Sequence, residues 1–213
     1  VWVAVGEDAD HIKNIAFSVD SGATWSNPTV LLLKRRANDV LFASGRWWVC
    51  GLGKDIYWSL DGVTWALASK GSAHSYMLEV YSLSFTDNKI LTCGHGTHTG
   101  YHHSILYVNY LGGVYHQHPG TYPFTHVLMS ANMSFIKKFL YVGSIQMAVG
   151  YGADSNGFTN ISRSENGGAT WVQSRIFTGR GTDLIYDGTK WIATGEDVDP
   201  LKRVQSSVDN GLT

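Results

Sequence analysis

A short motif returns along this chain at intervals too long for a single helix and too regular for an irregular coil. Ser18-Val19-Asp20-Ser21-Gly22-Ala23-Thr24-Trp25 comes back as Ser59-Leu60-Asp61-Gly62-Val63-Thr64-Trp65 and as Ser164-Glu165-Asn166-Gly167-Gly168-Ala169-Thr170-Trp171. Ser207-Val208-Asp209-Asn210-Gly211-Leu212-Thr213 opens a further copy. A degenerate copy lies between the second and third: Ile105 to Tyr115 aligns without gaps to Ile15 to Trp25, keeping Gly112 and a final aromatic but carrying Val108 and Tyr110 in place of Ser and Asp. Anchored on Asp20, Asp61, Tyr110, Asn166 and Asp209, the steps are 41, 49, 56 and 43 residues. That is the spacing of repeats built from about four short strands each.

The residue types say what the motif does. An Asp or Asn side chain accepts backbone N–H bonds two residues on, and Gly supplies a positive φ without steric cost, so the box folds a tight turn. Each box follows a run with strand character, such as Ile15-Ala16-Phe17-Ser18 or Ile56-Tyr57-Trp58-Ser59, and the Trp closes it where the next strand begins. This places the box between the third and fourth strands of each repeat. A second signature precedes it, an aromatic or apolar residue four positions before a Gly: Trp2 to Gly6, Trp47 to Gly51, Ile90 to Gly94 and Trp191 to Gly195. The second repeat reads as a strand Val40–Ala43, a turn Ser44-Gly45-Arg46 and a strand Trp47–Cys50. The fifth reads as Leu184–Tyr186, a turn Asp187-Gly188-Thr189-Lys190 and Trp191–Thr194. Trp2, Trp47 and Trp191 share one strand position and are expected to pack between repeats. No long helical period interrupts these strands, so the expectation is all-β.

Ser-x-Asp-x-Gly-x-x-Trp at this spacing resembles the Asp-box, or BNR repeat, of β-propellers that include sialidases, sortilin-type receptors, some glycoside hydrolases and photosystem assembly factors. The resemblance covers the whole chain. It implies a β-propeller of four-stranded antiparallel blades in a single domain, with repeats at about 1–36, 37–73, 74–121, 122–178 and 179–213. The first repeat lacks an innermost strand and the last an outermost one, so about five repeats are expected to form a segment of a ring of six to eight blades, part of a larger chain or assembly. The residues carried over as structural box positions are Ser18, Asp20, Gly22 and Trp25; Ser59, Asp61 and Trp65; Ser164, Asn166, Gly168 and Trp171; and Ser207, Asp209 and Gly211. The repeats are also similar to those of surface and virion proteins of large DNA viruses, which implies an extracellular or virion-surface setting.

Composition narrows the partners. A formal net charge of −1 and a pI of about 6.8 give no electrostatic reason to expect nucleic acid. No apolar run approaches a membrane span, so no membrane insertion is expected. Cys50 and Cys93, at nearly matching places in adjacent repeats, are expected to be two buried thiols, too far apart to bridge.

For an enzyme, the sialidase likeness implies three arginines on a substrate carboxylate. Arg35, Arg36, Arg46, Arg163, Arg175, Arg180 and Arg203 include none in that family's Arg-Ile-Pro setting, and Arg46 and Arg163 fall at hairpin periphery. A glycosidase would need two facing carboxylates; only Asp39 and Asp183 flank uncharged innermost strands, and both suit strand-start turns. Glu7-Asp8 with Asp10, and Glu196-Asp197 with Asp199, are repeat-equivalent acids that read as a loop signature before a Ca²⁺ site. The histidines concentrate between His74 and His126, and His95, His98 and His102 are the set that could take a divalent metal; solvated loop histidines are the preferred reading, and no cofactor is expected. Among the aromatics, Trp48 and Trp58 have no repeat-wide role, and Tyr76, Tyr101 and Tyr122 lie in insertions that lengthen the third and fourth repeats. Variable loops on a rigid frame carry specificity. These five are the candidate ligand-binding residues of a non-catalytic module holding a protein or a glycan through repeats three and four. The alternative is a glycoside hydrolase of the sialidase-like or xyloglucanase-like type.

Overall fold

The computed structural model describes residues 1–7, 9, 13–28, 36–52, 56–69, 77–86, 89–96, 103–109, 124–127, 133, 135–154, 157–167 and 169–212. Strands among these residues make five sheets. The first pairs β1 (Trp2–Val5) with β2 (Ile15–Ser18). The second runs β3 (Ala37–Ala43), β4 (Arg46–Gly51), β5 (Ile56–Ser59) and β6 (Ala66–Ser69). The third runs β7 (Met77–Thr86), β8 (Lys89–Gly96), β9 (His103–Asn109) and β10 (Phe124–Val127). The fourth runs β11 (Phe135–Val142), β12 (Ile145–Asp154), β13 (Gly157–Ser164) and β14 (Val172–Ser174). The fifth runs β15 (Gly181–Tyr186), β16 (Trp191–Gly195) and β17 (Val204–Ser207). Chain neighbours are sheet neighbours throughout, so every sheet is a meander. One 3-10 turn, Pro200–Lys202, is the sole helical element among the described residues, and none is long and apolar enough to cross a membrane. The molecule is all-β.

Local chemistry sets the register. Ser44 and Gly45, with φ of 53° and 73°, close the β3–β4 hairpin, the backbone that a two-residue turn between right-twisted strands needs. Asp187 does the same work by side chain, its Oδ1 accepting from the backbone N–H of Thr189 at 2.8 Å and of Lys190 at 2.9 Å. Both hairpins put a tilted aromatic pair at directly opposite strand positions: Phe42 opposite Trp47 with centroids 4.8 Å apart, and Tyr186 opposite Trp191 at 5.1 Å. At the far end of each hairpin the first strand bulges, between Ala37 and Asp39, between Ile136 and Lys138, and between Gly181 and Asp183. The bulge brings the first strand's carbonyl onto the second: a Cβ at Gly51 would collide with the Arg36 carbonyl, and one at Gly150 with that of Phe135. At Gly51 the Gly of the second signature is thus demanded by backbone approach, and at Gly195 by the Phe177 ring and the Arg180 carbonyl, whereas a Cβ at Gly6 would meet nothing.

The described residues fall into two compact units, one of Val1–Thr92 with Tyr107–Thr125, the other of Cys93–Leu106 with His126–Thr213. In the first, Ile15, Ala37, Val49, Tyr57 and Trp65 form a buried cluster that Val3, Val5, Val40 and Trp47 pack against. In the second, Ile145, Met147 and Val149 of β12 meet Phe177, Leu184, Trp191 and Ala193. The first cluster fills the space between the first and second sheets and the second that between the fourth and fifth, so these repeats adhere face to face. Cys50 and Cys93 are both fully buried. One expectation needs correcting. Trp191 is buried, at 2% exposure, and Trp47 half-buried, but Trp2 is 59% exposed. Alternation along β1 turns Val3 and Val5 toward the second sheet and Trp2 and Ala4 away from it.

Candidate functional site

Four of the recurring boxes can be compared atom by atom. In the first, the Ser18 hydroxyl donates to Asp20 Oδ1 at 2.7 Å and accepts from the backbone N–H of Gly22 at 2.8 Å. Asp20 in turn accepts from the Thr24 backbone N–H at 2.9 Å and the Thr24 hydroxyl at 2.6 Å, and Trp25 closes the turn by donating Nε1–H to the Gly22 carbonyl at 3.0 Å. The second box is a residue shorter, yet Ser59 still bonds Asp61 and Gly62, Asp61 accepts from the N–H groups of Val63 and Thr64, and Trp65 donates to the Gly62 carbonyl at 3.2 Å. The box at Ser207 repeats the scheme with Asp209 and Gly211. Asn166 keeps it with chemistry adjusted: its Oδ1 accepts from the Thr170 N–H, but its amide donates to the Thr170 hydroxyl, reversing the direction seen between Thr24 and Asp20. Gly168 lies outside the described residues. The box serines are buried at 1–2% in the first, second and fourth repeats, so their hydroxyls need these partners.

These bonds leave a carboxylate committed to its own turn. Asp20 is lowered to about 2 by the Thr24 hydroxyl and backbone N–H and by Ser18; Asp61 is lowered to about 2 by the backbone N–H groups of Thr64 and Val63. Their charge is stabilised by the hairpin's own donors.

No protein-family model matches the chain, and no curated protein matches it. Solved structures do. The computationally designed protein Ika8 aligns at TM-score 0.54 and 14% identity over 97% of this chain and 58% of its own. YCF48, solved bound to D1 peptide, aligns at TM-score 0.54 and 15% identity over 97% of this chain and 63% of its own. An exo-1,5-alpha-L-arabinanase from a bovine ruminal metagenomic library aligns at TM-score 0.46 and 10% identity over 72% of this chain and 61% of its own. The fold is that of a β-propeller. The chain spans about three fifths of the length of the propellers Ika8 and YCF48.

On this propeller the candidate ligand residues separate. Trp48 and Trp58 are cross-strand partners in the second blade. Trp48 is 3% exposed and donates to the Ala43 carbonyl at 3.4 Å; Trp58 is half-buried beneath the Arg46 guanidinium, 4.6 Å from its ring centroid. Register brings Arg46, Trp48 and Trp58 onto one face, a grouping that the sequence does not display. Tyr76, Tyr101, Tyr122, His98 and His102 lie outside the described residues, as does the side chain of His95 on β8. Among the described residues no three His, Cys, Asp or Glu side chains are placed to hold a metal ion.

The other described arginines of the blades engage their own chain. Arg36 forks onto Glu79 at 2.7 and 2.8 Å, Arg163 pairs with Glu165, and Arg175 donates to the Phe177 carbonyl at 3.3 Å. Arg180 lies over Tyr151 at 5.7 Å and Arg203 donates to the Asp197 carbonyl at 3.2 Å. Burial pushes the Glu79 carboxyl up, but bonds from Arg36 and Asn38 outweigh it and hold the group below the usual glutamate range. Asp39 accepts from the N–H of Val40 and, at 2.9 Å, of Leu83 on β7, while Asp183 accepts from Leu184 at 2.8 Å. Asp197, 8% exposed, accepts from the N–H groups of Thr178 and Asp199, each at 2.9 Å.

Sequence reasoning missed one thoroughly bonded side chain. Asn160, fully buried on β13, donates to the carbonyls of Phe177 at 2.6 Å and Gly179 at 2.9 Å and accepts from the N–H of Ile176 at 2.9 Å and Phe177 at 3.3 Å. It fastens the segment that carries the chain from the fourth blade to the fifth. Counting back four residues from the box serine, as from Ser164 to Asn160, leads from Ser18 to Asn14, which is also buried. That recurrence was the available signal.

Proposed function

We propose that this chain is a non-catalytic propeller module that holds a protein or a glycan on the loops of its third and fourth repeats. The carrying observation is how the charged groups are used. Each described arginine and each buried carboxylate already meets a partner within the chain, from the Arg36–Glu79 fork to the Asp197 loop. A glycosidase needs convergent charged groups left for substrate. The boxes and hairpins instead make a rigid frame whose length varies in the third and fourth repeats, at the steps of 49 and 56 residues. Tyr76, Tyr101 and Tyr122 belong to those insertions and are assigned as contact residues. YCF48, of the same fold and solved with a peptide, supports a peptide or protein as the first class to try. An exterior setting, on a virion or cell surface within a larger assembly, suits such a display frame.

The test is a peptide-display and glycan-array screen with the purified chain, followed by variants carrying Tyr76→Ala, Tyr101→Ala and Tyr122→Ala. Binding lost in at least two of the three, with the thermal midpoint unmoved, supports the reading. Turnover of sialosides or xyloglucan that disappears with Asp39→Asn or Asp183→Asn would replace it with the hydrolase.

A further inference from the structure

The side chain that fastens the fourth blade to the fifth also opens an acceptor sequence. Asn160-Ile161-Ser162 is an Asn-x-Ser tripeptide without proline, the pattern to which N-glycosyl transferases attach sugar. Such acceptors are used on surface loops, because the glycan is bulky and hydrated. Asn160 instead lies within β13 at 0% exposure. Both hydrogens of its amide are committed, one to the Phe177 carbonyl at 2.6 Å and one to the Gly179 carbonyl at 2.9 Å. A glycan replaces one of those hydrogens with a sugar ring. That removes a bond, strands a buried carbonyl, and demands volume where two carbonyl oxygens already touch the nitrogen.

The clamp does not itself need the acceptor. Counting back from the box serine sets Asn160-Ile161-Ser162 against Asn14-Ile15-Ala16 of the first repeat. Both asparagines are buried, yet the third position is Ala in one repeat and Ser in the other. The Ser162 hydroxyl is fully buried and donates to Met133 Sδ at 3.2 Å, a weak acceptor. The hydroxyl that completes the tripeptide is therefore separable from the amide that holds the fold.

We propose that Asn160 is a glycosylation site open only before the segment at Phe177 and Gly179 docks, and that glycan and clamp exclude each other. The transfer forms a bond between Asn160 Nδ2 and the anomeric carbon of a lipid-pyrophosphate-linked oligosaccharide. It breaks that carbon's bond to the pyrophosphate oxygen; the lipid pyrophosphate leaves with the electron pair, and the amide loses one proton. A chain modified in this way carries its sugar where Phe177 and Gly179 must dock, and stays unfolded. A chain that has docked them presents no nitrogen to the enzyme. Asn160 thereby sorts chains by whether folding precedes modification.

The test expresses the 213-residue chain behind a cleavable secretion signal in a eukaryotic cell. Asn132→Gln removes the other acceptor tripeptide, Asn132-Met133-Ser134, whose asparagine lies outside the described residues. Occupancy of Asn160 is read by mass spectrometry in the secreted and retained fractions. The expected result is a glycan at Asn160 in the retained, protease-sensitive fraction and none in the secreted one, with Ser162→Ala raising the secreted yield several-fold. Parent and Ser162→Ala chains made in a bacterial cytosol, where neither is glycosylated, should melt together, which assigns the gain to the lost acceptor. A secreted, protease-resistant chain with a glycan on Asn160 overturns the proposal. So does an Asn160 left unmodified in both fractions, or a Ser162→Ala chain that melts with its parent and is secreted no better.

Discussion

The first and second boxes share one hydrogen-bond scheme and differ in what covers it. Trp25 and Trp65 each donate to the carbonyl of their box glycine, at 3.0 and 3.2 Å. Trp25 nevertheless stands 46% exposed, whereas Trp65 is 8% exposed within the cluster around Val49 and Tyr57. A Cβ on Gly22 would meet only Trp25 of its own turn, while one on Gly62 would meet Val1 and Val3 of the preceding blade. The turn is therefore a local object that forms wherever Ser, Asp and Gly stand in register. The adhesive contribution of its Trp is set separately, by the residues that pack on it, as Val3 and Val5 of the first sheet and Val49 and Tyr57 of the second do around Trp65. Closely similar motifs do unequal amounts of stabilising.

The sharpest way to break this comparison is truncation. Trp65→Ala is expected to cost about 3–5 kcal/mol, the range for a buried aromatic, and Trp25→Ala about 1 kcal/mol or less, both read from urea unfolding. Equal costs would show that the tryptophan acts through its turn and not through the blade beneath. Asn160→Ala comes next, at about 3 kcal/mol, because it strands two carbonyls and two N–H groups in a buried site. Asn160→Asp restores the acceptor side alone and should recover only part of the loss; full recovery would mean that the donated bonds to Phe177 and Gly179 carry nothing.

A smaller difference is expected at the glycines. Gly22 and Gly62 both hold positive φ, 93° and 75°, so Ala at either costs about 1 kcal/mol for the backbone alone. Gly62→Ala must in addition displace Val1 and Val3, at 2.9 and 3.0 Å, adding about 1 kcal/mol more. A thermal-melt comparison in which Gly22→Ala proves the more damaging would contradict the burial argument.

What the sequence disclosed follows the same division between local and long-range. The hairpins and boxes were legible because their causes lie within a few residues: Asp187-Gly188 at a turn, Ser59 bonding Asp61 and Gly62. The Arg36–Glu79 fork joins residues 43 apart and the Asn160 clamp reaches 16 to 19 residues along the chain, and no periodicity announces such partners. Trp48 and Trp58 looked unassigned because their pairing depends on the register of β4 against β5. Gly150 escaped the second signature because Gln146 stands where other repeats carry an apolar residue, although the backbone approach that demands glycine is the same as at Gly51.

The finest test uses the Asn that replaces Asp in the fourth repeat. Asp20 and Asp61 are held at about 2 in the folded chain, against about 4 for a carboxylate in an unfolded one. A depressed folded value means that their contribution is fully present above pH 4 and is lost as the pH falls from 4 toward 2. Asp20→Asn and Asp61→Asn should each flatten the fall of stability across that window, and Asn166→Asp should steepen it, since Oδ1 of residue 166 already accepts from the Thr170 N–H at 2.9 Å. The lowering arises from hydrogen bonds within each turn, so these slopes should change little between low and high salt. A strong salt dependence would instead assign the effect to charges elsewhere in the chain and remove the case that each box stabilises its own carboxylate.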